Sequence, residues 1–220
     1  MKTSRRAAFT VIELALAMGI TTLVGLSVAA ATMVISAARE DAEQYQEYVQ
    51  SARSTSLRIQ SALRKASLIT SCTPTTLVYW TGDANSNGQI NVSELVRISY
   101  DHVNKEVREY QVDLGDLNAV AAAILDATVS LATAMDDAAV RELMSTTYKP
   151  YLQDRLLSSS VRSVEFSTDK GAPLTGLVRV RLDVGDQAQA IVVQSAVSLR
   201  SPATPRVGIV DRVYVLVGTD

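Results

Sequence analysis

Residues 9–38 read FTVIELALAMGITTLVGLSVAAATMVISAA, an apolar run broken by one charge, Glu13. A run of about thirty such residues exceeds the roughly twenty that a helix needs to cross a bilayer. The pattern changes after Ala38 but the period does not: residues 39–71 contain neither Pro nor Gly, and they place Tyr45, Val49, Ala52, Ser56, Ile59, Leu63, Ala66 and Ile69 at three- and four-residue steps. That spacing predicts an amphipathic continuation of the same helix. Some sixty helical residues at about 1.5 Å each would make a rod near ~90 Å. Beyond it the period falls to two. Residues 76–80, 95–100 and 106–112 are β-branched and aromatic and predict strands, as do 161–167, 177–184, 188–199 and 210–217. Residues 117–157, rich in Ala, Leu and Met, predict one or two inserted helices, with Pro150 breaking or kinking them. Gly185 and Asp186 suggest a hairpin turn, and Pro202 and Pro205 an irregular segment. The expected fold class is α+β: a long N-terminal helix on an antiparallel sheet with inserted helices.

Composition removes more functions than it adds. The 220 residues are 47% apolar with a net charge of −2, so nothing resembles the basic footprint of a nucleic-acid binder. Cys72 is the only cysteine and His102 the only histidine, which rules out an intrachain disulfide and any zinc site that needs several Cys or His. Ser158, Ser159 and Ser160 lack a Gly-x-Ser-x-Gly elbow, and the carboxylate pairs Asp136/Asp137 and Asp183/Asp186 read as solvated. The reading is not an enzyme. Lys2, Arg5 and Arg6 precede the apolar run, which places the N-terminus in the cytoplasm and the bulk of the chain across the membrane.

Glu13 is expensive in that run unless it has a partner or sits shallowly near Arg5 or Arg6. Residues Arg5-Arg6-Ala7-Ala8-Phe9-Thr10-Val11-Ile12-Glu13-Leu14 resemble the processing site of type IV prepilins and of type II secretion pseudopilins. The resemblance implies cleavage between Ala8 and Phe9 by a prepilin peptidase, N-methylation of Phe9, and a Glu13 carboxylate that neutralises the new ammonium of a neighbouring subunit. Ala8 stands where the family usually has Gly. The implied domains are a leader at 1–8, a membrane and filament-core helix at 9–38, its amphipathic continuation at 39–71, and a pilin-like headpiece at 72–220. The layout is most similar to a minor, J-type pseudopilin. The implied partners are other pilins, an inner-membrane platform and a cytoplasmic ATPase, for an inner-membrane protein with a periplasmic or extracellular headpiece. A static single-span protein whose exported domain binds calcium and a ligand is the alternative.

The loop Asp83-Ala84-Asn85-Ser86-Asn87-Gly88-Gln89-Ile90-Asn91-Val92-Ser93-Glu94 matches the calcium template D-x-[DN]-x-[DN]-G-x5-E. Asp83, Asn85 and Asn87 would offer side-chain oxygens, Gln89 a carbonyl, Asn91 a water-mediated contact and Glu94 a bidentate closure, with Gly88 at the sharp turn. With only two charges, Asp83 and Glu94, affinity should be about 10⁻⁴–10⁻³ M and the role structural. An Asn/Gly-rich turn that needs no metal remains the other reading.

Overall fold

The computed structural model describes residues 10–185, 190–199, 207–210 and 213–216. Its first element is helix α1, Val11–Leu63. The chain divides into two units, Met1–Glu47 and Tyr48–Asp220.

In the first unit the described part of α1 is exposed along its whole length, including Val11, Ile12, Leu14, Leu16, Met18, Ile20 and Leu23. It is long and apolar enough to cross a membrane. Its hydroxyls fit such a setting: Thr21, Thr22, Ser27 and Thr32 donate to the carbonyls of Ala17, Met18, Leu23 and Val28, each at 2.8 Å. A polar atom satisfied four residues back imposes little cost in hydrocarbon.

The second unit starts with the last turns of α1, where Ala52, Thr55, Ser56, Ile59 and Leu63 are buried. The helix stops at Leu63, short of the predicted residue 71, and the chain forms strand β1, Leu68–Cys72. Ile69, counted above as a helical position, is a strand residue instead. Pairing decides this: Ser67 N–H donates to the Trp80 carbonyl at 2.8 Å, and β1 zips antiparallel onto β2, Thr76–Trp80. The β-branched Ile69 and Thr70 suit that ladder better than another helical turn.

Next come the two-residue strand β3, Ile90–Asn91, a single 3₁₀ turn at Val92–Glu94, and the hairpin β4, Leu95–Asp101, and β5, Glu106–Val112. Helix α2, Ala119–Leu125, strand β6, Thr128–Val129, and helices α3, Leu131–Ala134, and α4, Asp137–Thr146, follow. The expected helical insertion is therefore shorter than 117–157. A 3₁₀ turn at Lys149–Tyr151 carries Pro150, and Leu152–Ser158 forms strand β7 against β5. Its LQDRLLS sequence carries no strong strand signal, and its conformation is imposed by the neighbouring edge of β5.

Strands β1-β2-β4-β5-β7 make one antiparallel sheet. Strands β8, Val161–Thr168, β9, Leu177–Gly185, and β10, Ala190–Ser198, make a second in the order β10-β9-β8. The final predicted strand is a hairpin, β11, Val207–Val210, paired with β12, Val213–Leu216. Asp186, Pro202, Pro205 and Val217 lie outside the described residues.

Alternate residues of β2 serve two cores. Leu77 and Tyr79 face Ala52, Ile59 and Leu63 of α1 together with Phe166, Val180 and Leu182 of the second sheet. Val78 and Trp80 face Leu131, Val140, Met144 and Tyr148 on and beside α3 and α4. Both faces of β2 are buried, which is why its sequence is a continuous apolar run. Asp137 is not solvated as expected: it pairs with Arg97 of β4 at 2.7 Å and ties α4 to the sheet, while Asp136 caps α4 through Ala138 N–H. Asp183 lies within β9, with its Oδ1 buried and not solvated as expected.

Candidate functional site

Two groups of predicted residues can be placed. At the start of α1, the Thr10 N–H and hydroxyl donate to Glu13 Oε2 at 2.9 and 3.1 Å, and Glu13 N–H donates back to Thr10 Oγ1 at 3.3 Å. This reciprocal arrangement is a capping box, with Thr10 at the N-cap and Glu13 at the third helical position. Glu13 therefore satisfies donors that a helix start leaves open, and its negative charge sits at the positive end of the helix dipole. The spacing Thr-x-x-Glu at residues 10–13 is the sequence signature of such a box. Ala8 and Phe9 lie outside the described residues.

The second group is the loop 83–94, between β2 and β4. Asp83 Oδ1 accepts from Asn87 N–H at 3.0 Å and Oδ2 from Gly88 N–H at 2.7 Å. Asn85 Oδ1 accepts from Asn87 N–H, and Asn87 Oδ1 from Gln89 N–H at 2.8 Å. Gly88 has φ +73°, the left-handed conformation the template requires, so a side chain there would be strained. Ile90, at 1% exposure, anchors the loop's middle and pairs with Val129 of β6.

Glu94 and Asn91, each at 3% exposure, are buried, unlike the other four. Glu94 Oε2 accepts from Trp80 Nε1 at 2.8 Å and Asn91 N–H at 3.1 Å, and Oε1 from Ala84 N–H at 2.7 Å. A carboxylate has about four acceptor positions, so three are in use. Asn91 accepts from Asn87 Nδ2 through its Oδ1 and donates to the Asp126 carbonyl. The Asp126 carboxylate takes the N–H and hydroxyl of Ser93, binding the loop's end to the C-terminus of α2. Trp80 and Asp126 belong to this site although the sequence did not mark them; Trp80 arrives through the register of β2 on β4, and Asp126 through a contact with Ser93 thirty-three residues away.

The donor chemistry fits a hard cation at Asp83, Asn85, Asn87, Gln89 and Asn91, all of which present oxygen. Glu94 would add its charge from its remaining acceptor position. The loop also closes on its own hydrogen bonds. Asn85, Asn87 and Asn91 form one wall of a cleft of about 920 Å³ whose other walls carry Gln111, Asp113 and Gln153. Cys72 is half-buried in β1, and burial pushes its thiol up to about 11. That is an inert thiol at neutral pH.

Searches against protein-family models, curated proteins and solved structures find no match to this chain.

Proposed function

We propose that this chain is a structural subunit of a type IV pilus-like filament, a minor pseudopilin of a type II secretion-like system, cleaved and N-methylated by a prepilin peptidase. The observation that carries the reading is the start of α1: an exposed apolar helix, long enough to span a bilayer, opening on a Thr10/Glu13 capping box. An apolar helix exposed on every side suits burial among copies of itself once withdrawn from lipid. In this reading Glu13 does two jobs, capping its own helix and presenting charge to the ammonium of a neighbour. The helix sits in the inner membrane with the N-terminus cytoplasmic and the headpiece outside, and an assembly platform and ATPase extend the filament. The loop 83–94 holds Ca²⁺ weakly, as a brace between β2, β4 and α2.

Mass spectrometry of the mature N-terminus tests this. A methylated Phe9 is expected; an intact Met1 overturns the assembly reading. Glu13→Gln separates the two jobs, because glutamine keeps the capping box while losing the charge. Membrane insertion is expected to survive in Glu13→Gln and filament incorporation, read by cross-linking to neighbouring subunits, to fall at least about tenfold, as loss of a desolvated charge pair would give. A second reading, a static single-span protein with a calcium-stabilised ligand-binding domain, is favoured by the cleft beside the loop. It expects an unprocessed N-terminus.

A further inference from the structure

The edges of the two large sheets are not equivalent. At one edge of the five-stranded sheet, β1 is five residues long and its pairing with β2 is bulged between Ile69 and Ser71. At the other, β7 carries Asp154 and Arg155, and Asp154 is salt-bridged to Arg108 at 2.7 Å. In the second sheet, β8 has its free side partly occupied: Val161 N–H donates to the Lys105 carbonyl and Phe166 N–H to the Pro74 carbonyl, both at 2.9 Å. Short length, bulges, charges and covering contacts are the usual protections of a sheet edge.

Among the described residues, strand β10 has none of them. It is nine residues, AIVVQSAVS, paired without interruption to β9 from Ala190 opposite Gly185 to Ser198 opposite Leu177. It contains no charge and no proline, and among the described residues β9 is its only strand neighbour. Alternate residues of an antiparallel edge strand point both N–H and C=O away from the partner, so β10 offers an open ladder.

Burial along the same edge says the core stops one strand early. On β9 the inward residues Val178, Val180, Leu182 and Val184 are 0–1% exposed. Directly opposite them on β10, Val197 is buried but Ser195, Val193 and Ile191 are only half-buried. The outer face adds charge. Arg179 and Arg181 of β9 line a groove of about 380 Å³ with Gln194 and Ala196 of β10 and Glu165 and Ser167 of β8. Glu165 stands opposite Arg181 on the side away from β10, yet among the described residues neither arginine forms an ion pair. Only the uncharged Gln194 and Ala196 stand opposite Arg181 and Arg179 on β10, between them and whatever lies beyond it.

We propose that β10 accepts an added strand from a partner protein: an extended segment whose apolar residues cover Ile191 and Val193 and whose alternate residues are Asp or Glu directed towards Arg179 and Arg181. Backbone hydrogen bonds supply the affinity, and the alternation with its charge supplies the selectivity. The inference uses the headpiece alone and stands whether or not the chain builds a filament.

The test uses the full chain in lipid nanodiscs and three capped nonapeptides: alternating Val/Glu, alternating Val/Lys, and a blocked peptide with the Val/Glu composition but no alternation. Hydrogen exchange is followed at residues 190–198. In the free protein alternate amides of β10 should exchange rapidly, and the Val/Glu peptide should protect them while the other two should not. Reversing both charges, Arg179→Glu with Arg181→Glu, should switch the preference to Val/Lys by about tenfold, the sum of two modest surface ion pairs gained and lost. Because that variant gains a ligand, misfolding cannot imitate the result. Protection of all β10 amides in the free protein, equal binding of the blocked peptide, or an unchanged preference in the double variant would each overturn the proposal.

Discussion

Glu94 shows how one side chain can hold a loop without a metal. Its carboxylate gathers the indole of Trp80 and the amides of Ala84 and Asn91, groups spread in sequence from residue 80 to residue 91. Glu94→Ala leaves the buried Trp80 and Asn91 donors without their acceptor, which should cost on the order of 3 kcal/mol in chemical denaturation. Glu94→Gln keeps an acceptor oxygen and should cost less. A variant as stable as wild type would mean that the loop is held from elsewhere. Cys72 gives a second check at this scale. With its thiol pushed up to about 11 by burial, thiolate is scarce at neutral pH, so maleimide should label the folded chain far more slowly than the denatured chain. The thiol titrates above neutrality when folded and nearer 9 when exposed, so the contrast narrows as pH rises past about 11.

Among the elements, α1 is the most uneven in what its faces do. Ile59 is fully buried against both sheets, whereas Leu57, two residues earlier, is 64% exposed. Ile59→Ala should destabilise the headpiece by about 2–5 kcal/mol and Leu57→Ala by a few tenths, measured as denaturation midpoints of the full chain in the same detergent. Equal losses would contradict the packing. The three- and four-residue spacing made this face legible, since Ala52, Ile59 and Leu63 were all picked out by it. The end of the helix was not legible. Ala66 and Ile69 continue the same spacing, and only the presence of β2 beside them turns the second into a strand residue. Strand β7 was missed for the same reason, because its conformation comes from β5 and not from its own residues. The loop's template residues were readable one by one. Their partners Trp80 and Asp126 were not, because no local spacing encodes a contact set by register or by the distant end of α2.

For the whole molecule, calcium is the simplest perturbation. A ligand with dissociation constant about 10⁻⁴–10⁻³ M, supplied at about 10 mM, stabilises the folded state by about 1–3 kcal/mol. Thermal unfolding of the full chain should therefore shift upward by several degrees with Ca²⁺ and less with Mg²⁺, which resists dehydration. Asp83→Asn should abolish the shift at a small cost to the apo midpoint, since its one amide oxygen can still accept from Gly88 N–H while Asn87 N–H keeps Asn85 Oδ1. No shift at that concentration would leave the loop as a hydrogen-bonded turn.

The two-sided burial of the five-stranded sheet sets where this chain can vary over evolution. In β9, inward Val180 and Leu182 alternate with outward Arg179 and Arg181, so packing constrains only every second position. In β2 no position is open: Leu77 and Tyr79 answer to one core, and Val78 and Trp80 to the other. Drift in this protein should therefore leave a short segment, residues 76–80, nearly fixed between surfaces that diverge freely, and that segment is the part of the headpiece by which distant descendants would be aligned.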